Sequence, residues 1–98
     1  MWVRMARFRL KPEAATEAVR AYEEHGVPRV RAFRGNAGCY LLEEIGSPAA
    51  FLACTFWKTE EDVKAYESSG VAQEVAGLLR NAFAGPPELK SYRSVDAA

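Results

Sequence analysis

The stretch FLACTFW, residues 51–57, constrains the fold more than any other part of the chain. It contains six apolar residues and one threonine, and polar residues follow it at once. A β-strand turns alternate side chains to opposite faces, so both faces of this strand are apolar. Helices of the same chain can cover one face, and the other face then needs a second cover.

The size and charge of the chain limit the classes of protein to which it can belong. Its 98 residues predict a single domain, 1–98. Thirteen basic residues balance thirteen acidic ones, so no overall charge favours nucleic acid or an anionic membrane as a partner. No apolar run approaches the roughly 20 residues of a membrane span, and no signal-peptide pattern is present. We therefore expect a cytoplasmic protein with no nucleic-acid or membrane partner.

The hydrophobic pattern predicts elements in the order β-α-β-β-α-β. Four strands are predicted, at residues 2–10, 38–45, 49–57 and 88–95. The first helical region begins at Pro12, is interrupted near 26–28 and ends at Gly35. The second begins after a cap at Thr59 and is interrupted at 68–70. This order matches the ferredoxin-like α+β arrangement, an antiparallel sheet with helices on one face.

The second face of that sheet has no cover within the chain. An antiparallel sheet can leave one face in water, but such a face is usually polar, and monomers rarely expose a large apolar patch. We therefore expect a homodimer, packed sheet to sheet about a two-fold axis over about 2,000 Å² or more. The competing explanation is that the stems of Arg4, or of Arg7 and Arg9, cover a solvated sheet.

The two cysteines, Cys39 and Cys54, are too few for a disulfide framework. They fall on neighbouring strands, and a turn near 46–47 would place them opposite each other. We expect buried, reduced thiols. Because His25 is the only histidine, no metal site is predicted.

Six residues are candidates for the lining of a ligand pocket: Arg4, His25, Ala53, Thr55, Trp57 and Tyr66. Ala53 and Thr55 are small and share a strand face with Phe51 and Trp57. Small residues between aromatic ones leave room for a planar ligand, unless helix side chains fill that room.

Each of the larger candidates also has an ordinary structural explanation. Trp57 would either line a pocket or belong to the core or an interface. Tyr66 would either donate a hydrogen bond to a ligand or pack in the core. Tyr22 and Tyr40 are weaker candidates of the same kind. Histidine is the side-chain type best suited to proton transfer near neutral pH, and His25 could open onto a cavity mouth. A solvated histidine late in a helix is the alternative.

Arg4 shares a predicted strand face with apolar residues, so its charge needs a partner. It would pair with Glu43 or Glu44 of the second strand, or with the partner subunit. Alternatively, it would hold an anionic ligand.

Two longer motifs resemble a known family. FRGNAGCYLL is similar to that family's helix, glycine and strand, and TFWKTEEDVKAY is similar to its strand ending in Trp before a capped helix. Together with the element order, they make nearly the whole chain resemble the antibiotic-biosynthesis-monooxygenase-like group of dimeric α+β barrels. The resemblance implies a dimeric barrel.

The same resemblance bears on activity, because this group includes cofactor-free oxygenases of polycyclic quinols and haem-degrading proteins. The quinol oxygenases carry an Asn four residues before the strand-end Trp, where this chain has Ala53 before Trp57. The haem-degrading members use Asn, Trp and His, where this chain has Ala6, Tyr66 and Ala76. Haem degradation is therefore disfavoured, and quinol oxidation lacks one polar partner.

The functional expectation is a protein that binds an apolar or aromatic metabolite, with cofactor-independent monooxygenation as its candidate chemistry. No cofactor is expected, and no catalytic residue is assigned. The alternative is a non-enzymatic dimeric module with a closed pocket. An open space of roughly 300 Å³ or more beside Trp57 and Tyr66 would favour the ligand, and close packing there would favour the module.

Overall fold

The computed structural model describes residues 1–96; Ala97 and Ala98 of the predicted domain lie outside that range. The strands are β1 (Trp2–Arg9), β2 (Asn36–Glu43), β3 (Ala50–Trp57) and β4 (Glu88–Arg93). The helices are α1 (Pro12–Ala21), α2 (Val27–Arg31), α3 (Glu60–Ser68) and α4 (Val71–Arg80). A π-helical turn, Tyr22–Gly26, joins α1 to α2.

The four strands form one antiparallel sheet in the order β2-β3-β1-β4. β1 and β3 are central, as the ferredoxin-like prediction requires. In the register of these two strands, Ala6 is opposite Ala53 and Arg4 is opposite Thr55. The prediction of an α+β, ferredoxin-like fold is confirmed.

One face of the sheet and the helices enclose the core. The largest fully buried side chain is Trp57 at the end of β3. Its ring centroid lies 4.8 Å from that of Tyr66 on α3 and 6.0 Å from that of Phe33. These three rings join the end of β3 to α3 and to the turn after α2, so they fix the helices against the sheet.

The first helical region continues through its predicted interruption as a wider turn. The Val27 N–H donates to the carbonyl of Tyr22, which is the i→i−5 bond of a π-helix. Pro28, in the first turn of α2, has no N–H with which to continue the regular pattern. A Cβ on Gly26 would lie 3.2 Å from Leu78 and from Val75, so glycine lets α4 approach closely here.

The second helical region begins and divides where the sequence predicts. Thr59 caps α3, because its side chain accepts a hydrogen bond from the Asp62 N–H at 3.1 Å. Gly70, at φ 91°, separates α3 from α4. No helix within residues 1–96 is long and apolar enough to cross a membrane.

The outer face of the sheet, opposite the helices, contributes no side chain to the core cluster among the described residues. It carries exposed apolar side chains on the two edge strands, Tyr40 and Leu42 on β2 and Tyr92 on β4. Arg7 and Arg9 also point to this face, and Arg7 pairs with Glu44 at 3.0 Å. Arg4 lies on the helix face, so its stem does not cover the outer face.

The two cysteines point to opposite faces of the sheet, so the expectation that they lie opposite each other is wrong by one residue. Cys39 is opposite Thr55, and Cys54 is opposite Tyr40. The pairing of Glu43 with Phe51 centres the turn on residue 47, rather than between 46 and 47, and this half-step changes the register. Both thiols are free and buried.

Candidate functional site

A cavity of about 140 Å³ lies between the helix face of the sheet and α4. Its floor comes from β1 and β3, and its roof comes from α4 and from two tyrosines, Tyr22 and Tyr66. Pro87 and Leu89 line the end next to β4. Leu89 is 58% exposed, so the cavity opens at this edge of the sheet.

The room for the cavity comes from small residues that meet across the sheet. Ala6 of β1 and Ala53 of β3 are paired, and both line the floor. Ala72 and Ala76 of α4 face the same space from above. Larger side chains at these positions would fill it. Ala53 and Thr55 therefore lie where the sequence predicts a gap.

One end of the cavity is polar. Arg4, Thr55 and Tyr66 all line this space, and Arg4 is paired with Thr55 in the strand register. The Arg4 Nε donates to the Glu67 carboxylate at 3.0 Å, and its guanidinium carbon lies 5.8 Å from the centre of the Tyr66 ring. The side chain of Arg4 is only 20% exposed. A positive charge is thus held beside a mostly apolar cavity.

Arg4 pairs with a different carboxylate from those that the sequence suggested. Its partner is Glu67 at the end of α3, not Glu43 or Glu44 of β2. Arg4 is opposite Thr55, and Thr55 is opposite Cys39. Glu43 and Glu44 therefore lie four and five residues farther along the chain than Cys39, the β2 residue that is level with Arg4. Glu44 pairs instead with Arg7.

Trp57 supports the cavity without lining it. Its indole Nε1 donates to the Thr55 hydroxyl oxygen at 2.9 Å, and that hydroxyl donates to the Arg4 carbonyl at 3.3 Å. Trp57 is completely buried. Its N–H therefore orients Thr55. The side chain belongs to the core, which is the ordinary structural explanation for Trp57 rather than the pocket wall.

His25 lies away from the cavity. It is on the π-helical turn, 69% exposed, and its Nε2 is 3.8 Å from the Glu24 carboxylate. Tyr22 and Gly26 are the buried residues of that turn. His25 is therefore a surface residue rather than part of a cavity mouth.

The two tyrosines of the lining are neutral groups. Burial raises the pKa of Tyr22 above its usual value, and the neighbouring Cys39 and Tyr66 add to this effect. Burial also raises the pKa of Tyr66, although the Arg4 charge acts in the opposite direction. Neither phenol is suited to act as a general base near neutral pH.

Several lining residues were not identified as site residues from the sequence. Val75, Leu79 and Phe83 recur at every fourth position of the second helical region, which makes them an apolar helix stripe, and Leu89 falls in the last predicted strand. A stripe shows which side of a helix is buried. It does not show how far the helix lies from the sheet, so no local signal would have identified these residues as the lining of a cavity.

The two clefts along β2 are more open than this cavity, and their linings are less apolar. These clefts measure about 350 and 330 Å³, and Glu23 and Leu41 line both of them. Within residues 1–96, no three His, Cys, Asp or Glu side chains come together as a metal site.

Three cavity residues occupy positions that the family resemblance singled out. Ala6, Tyr66 and Ala76, which replace the Asn, Trp and His of the haem-degrading members, all line this space. Two of the three are alanines, which offer no polar group to haem. The cavity therefore includes these three positions, and it lacks the Asn, Trp and His that the resemblance associates with haem degradation.

Comparisons with known proteins show which fold and which family this chain shares. The fold is similar to a crystal structure of an antibiotic biosynthesis monooxygenase, with a TM-score of 0.82, 17% identity, and coverage of 98% of this chain and 100% of that chain. It is similar to Rv0793 from Mycobacterium tuberculosis, with a TM-score of 0.81, 18% identity, and coverage of 99% and 97%. It is also similar to a conserved protein from Methanosarcina mazei Go1, with a TM-score of 0.82, 19% identity, and coverage of 95% and 92%.

At these identities the three structures show a shared fold. No curated protein matches the sequence. The model of one family, described as antibiotic biosynthesis monooxygenase, matches residues 1–77, which include β1 to β3 and most of α4. The chain belongs to the antibiotic biosynthesis monooxygenase family.

Proposed function

We propose that this protein is a cytoplasmic homodimer that binds a small aromatic or apolar metabolite in the cavity above Ala6 and Ala53. The observation that carries the proposal is the cavity itself, which is lined mainly by apolar side chains. A few polar groups among apolar walls are typical of small-molecule sites. The free, buried thiols of Cys39 and Cys54 agree with a reducing compartment.

The volume of the cavity limits the ligand. About 140 Å³ is less than the roughly 300 Å³ of an open drug-sized pocket, but it is too large to be close packing. A fused polycyclic ring system would require α4 or β4 to move. The ligand is therefore smaller than the polycyclic quinols of the oxygenases that the sequence resembles.

The candidate chemistry is cofactor-independent monooxygenation of this ligand. Such a reaction needs an electron-rich substrate, a dry space and a group that stabilises an anion. Arg4 is such a group. A general base is not evident, because both lining tyrosines have raised pKa values and His25 lies elsewhere. An electron-rich single-ring substrate with its own ionisable hydroxyl group, such as a hydroquinone, would suit this site.

A variant that fills the cavity tests ligand binding. Ala53→Leu places a larger side chain in the floor, so single-ring aromatic compounds should no longer shift the amide resonances of β1, β3 and α4 in an NMR titration. Ala65→Leu, on the exposed surface of α3, is the matched control and should bind like the wild type. Equal binding by Ala53→Leu and wild type would contradict the proposed site.

Oxygen uptake separates an enzyme from a binding module. If the protein is an oxygenase, a single-ring hydroquinone should increase oxygen consumption above the rate without protein. Ala53→Leu should abolish that increase. Binding without any uptake would favour a ligand-binding protein that is not an oxygenase.

A further inference from the structure

We propose that the natural ligand of this cavity is a single-ring aromatic carboxylate, and that the Arg4 guanidinium binds its carboxylate. The inference rests on the proposed function, because it names the class of ligand for the same cavity. Three features lead to it: the size of the space, the charge of its lining and the free hydrogen-bond donors of Arg4.

The size of the space matches one aromatic ring. The cavity measures about 140 Å³, and an apolar protein cavity of about 150 Å³ is known to bind benzene. Phe8, Phe83 and Leu79 line it together with the floor alanines. These side chains would contact a ring on its faces and edges, which favours an aromatic ligand over a flexible chain.

The charge of the lining is positive. Of the described residues that line the cavity, Arg4 is the only one with a formal charge near neutral pH. Its partner Glu67 is not part of the lining, and the Glu67 side chain is 45% exposed. Water screens an exposed carboxylate strongly, so Glu67 offsets the Arg4 charge only partly inside the cavity.

The hydrogen bonds of Arg4 leave its outer nitrogens free. Glu67 accepts from Nε, and this is the one side-chain hydrogen bond of Arg4 within residues 1–96. A guanidinium has five N–H donors, so the four on its two Nη atoms remain for a ligand. Paired Nη donors match the two oxygens of a carboxylate. Glu67 and the Tyr66 ring hold the guanidinium in place for such a contact.

The strand register places the ring and the charge at a suitable separation. Arg4, Ala6 and Phe8 point to the same face of β1 at two-residue intervals, so each step is about 6.8 Å. A ring above the Ala6–Ala53 pair is one step from the backbone of Arg4 and one step from Phe8. Its carboxylate would point to the polar end, and its opposite edge would contact the aromatic end.

Matched ligands and variants test the inference. The affinities of benzoate, of its neutral relative benzyl alcohol and of toluene would be measured by NMR titration. Benzoate should bind wild type about 10- to 100-fold more tightly than benzyl alcohol does. Arg4→Gln should remove that advantage and keep toluene binding, which shows an intact cavity. Arg7→Gln, an arginine on the outer face of the same strand, is the control and should keep the advantage.

The outcomes distinguish this inference from the proposed function. Equal binding of benzoate and benzyl alcohol, or a benzoate advantage that survives in Arg4→Gln, overturns the carboxylate inference and leaves the cavity as a binding site for neutral rings. Failure of all three compounds to bind wild type overturns both. Binding of an anthracene carboxylate as tight as that of benzoate contradicts the single-ring limit.

Discussion

Thr55 connects the core to the cavity. Its hydroxyl accepts from the Trp57 indole N–H and donates to the Arg4 carbonyl, so one side chain serves the largest buried residue and the backbone of the charged one. Thr55 is itself buried. A buried hydroxyl with both of its functions used is costly to replace.

Replacing this hydroxyl should destabilise the fold. Thr55→Val keeps the shape but leaves the Trp57 N–H without an acceptor, so the free energy of unfolding should fall by about 1–3 kcal/mol in urea titration. The indole N–H proton resonance should also move. Thr55→Ser retains the hydroxyl and should keep that resonance in place. A Thr55→Val protein with wild-type stability and an unmoved resonance would show that the bond contributes nothing.

At the scale of single residues, the sequence predicted the position of small side chains better than the role of large ones. Ala53 and Thr55 could be placed because strand alternation puts them on one face. The roles of Trp57 and His25 could not be assigned, because strand alternation and helical spacing do not show which acceptor an indole N–H finds or where a wider helical turn directs its side chains. Trp57 is oriented by a bond along its own strand, and His25 is turned outward by a π-helical turn that no local pattern predicts.

Among the secondary-structure elements, the turn between α2 and β2 depends most on one residue, Gly35. Gly35 has φ 85°, a conformation that L-residues with side chains rarely adopt. A Cβ there would lie 2.1 Å from the carboxyl carbon of Asp62 on α3. The Gly35 carbonyl also accepts from the Lys58 N–H at 3.0 Å, so this turn packs directly against the start of α3.

Gly35→Ala should therefore be strongly destabilising. Both the left-handed backbone and the contact with Asp62 oppose a methyl group, and we expect a loss of about 2 kcal/mol or more in chemical unfolding. Gly85→Ala, where no atom lies within 4 Å of the added Cβ, is the matched control and should change stability little. If the two substitutions have equal effects, the close approach of the turn to α3 is incorrect.

Element boundaries could be predicted from the sequence where the signal is local. The Thr59 cap and the division at Gly70 need only neighbouring residues. β2 begins at Asn36, two residues before its predicted start, because a bulge lies between Asn36 and Gly38. The Asn36 side chain bonds both the N–H and the carbonyl of Gly38 and so extends the strand backward. Such a self-contained bulge has no periodicity to reveal it.

For the whole molecule, the central proposal is that a second copy covers the outer face of the sheet. Leu42, on this face, is 49% exposed in the single chain. Leu42→Lys should therefore cost the fold little, but it would bury a charge in the interface. Sedimentation velocity at micromolar concentration should show a dimer for wild type and a single chain for Leu42→Lys.

Leu89→Lys provides the control for this experiment. Leu89 is also an exposed leucine on a strand, but it lines the cavity on the helix face. Its replacement should leave the dimer intact. A wild-type protein that sediments as a folded single chain would contradict the proposed dimer, and so would a Leu42→Lys protein that remains dimeric.

The fold as a whole was predictable because its evidence is spread along the chain. Four alternating strands, two interrupted helices and turn residues between them leave few arrangements for a chain this short. The cavity was only partly predictable. Its floor follows from strand alternation, whereas its roof depends on how far α4 stands from the sheet and on β4 extending beyond the helices.

β4 is not covered by the helices, and this has a consequence for how the protein can diversify. Pro87 and Leu89 line the entrance, yet β4 is exposed throughout and adds little to the core. Changes in this short segment would therefore alter which molecules are admitted without a large loss of stability. The hydrophobic interior and the selectivity of the entrance are encoded in separate stretches of sequence, so mutation can explore new ligands while the scaffold stays intact.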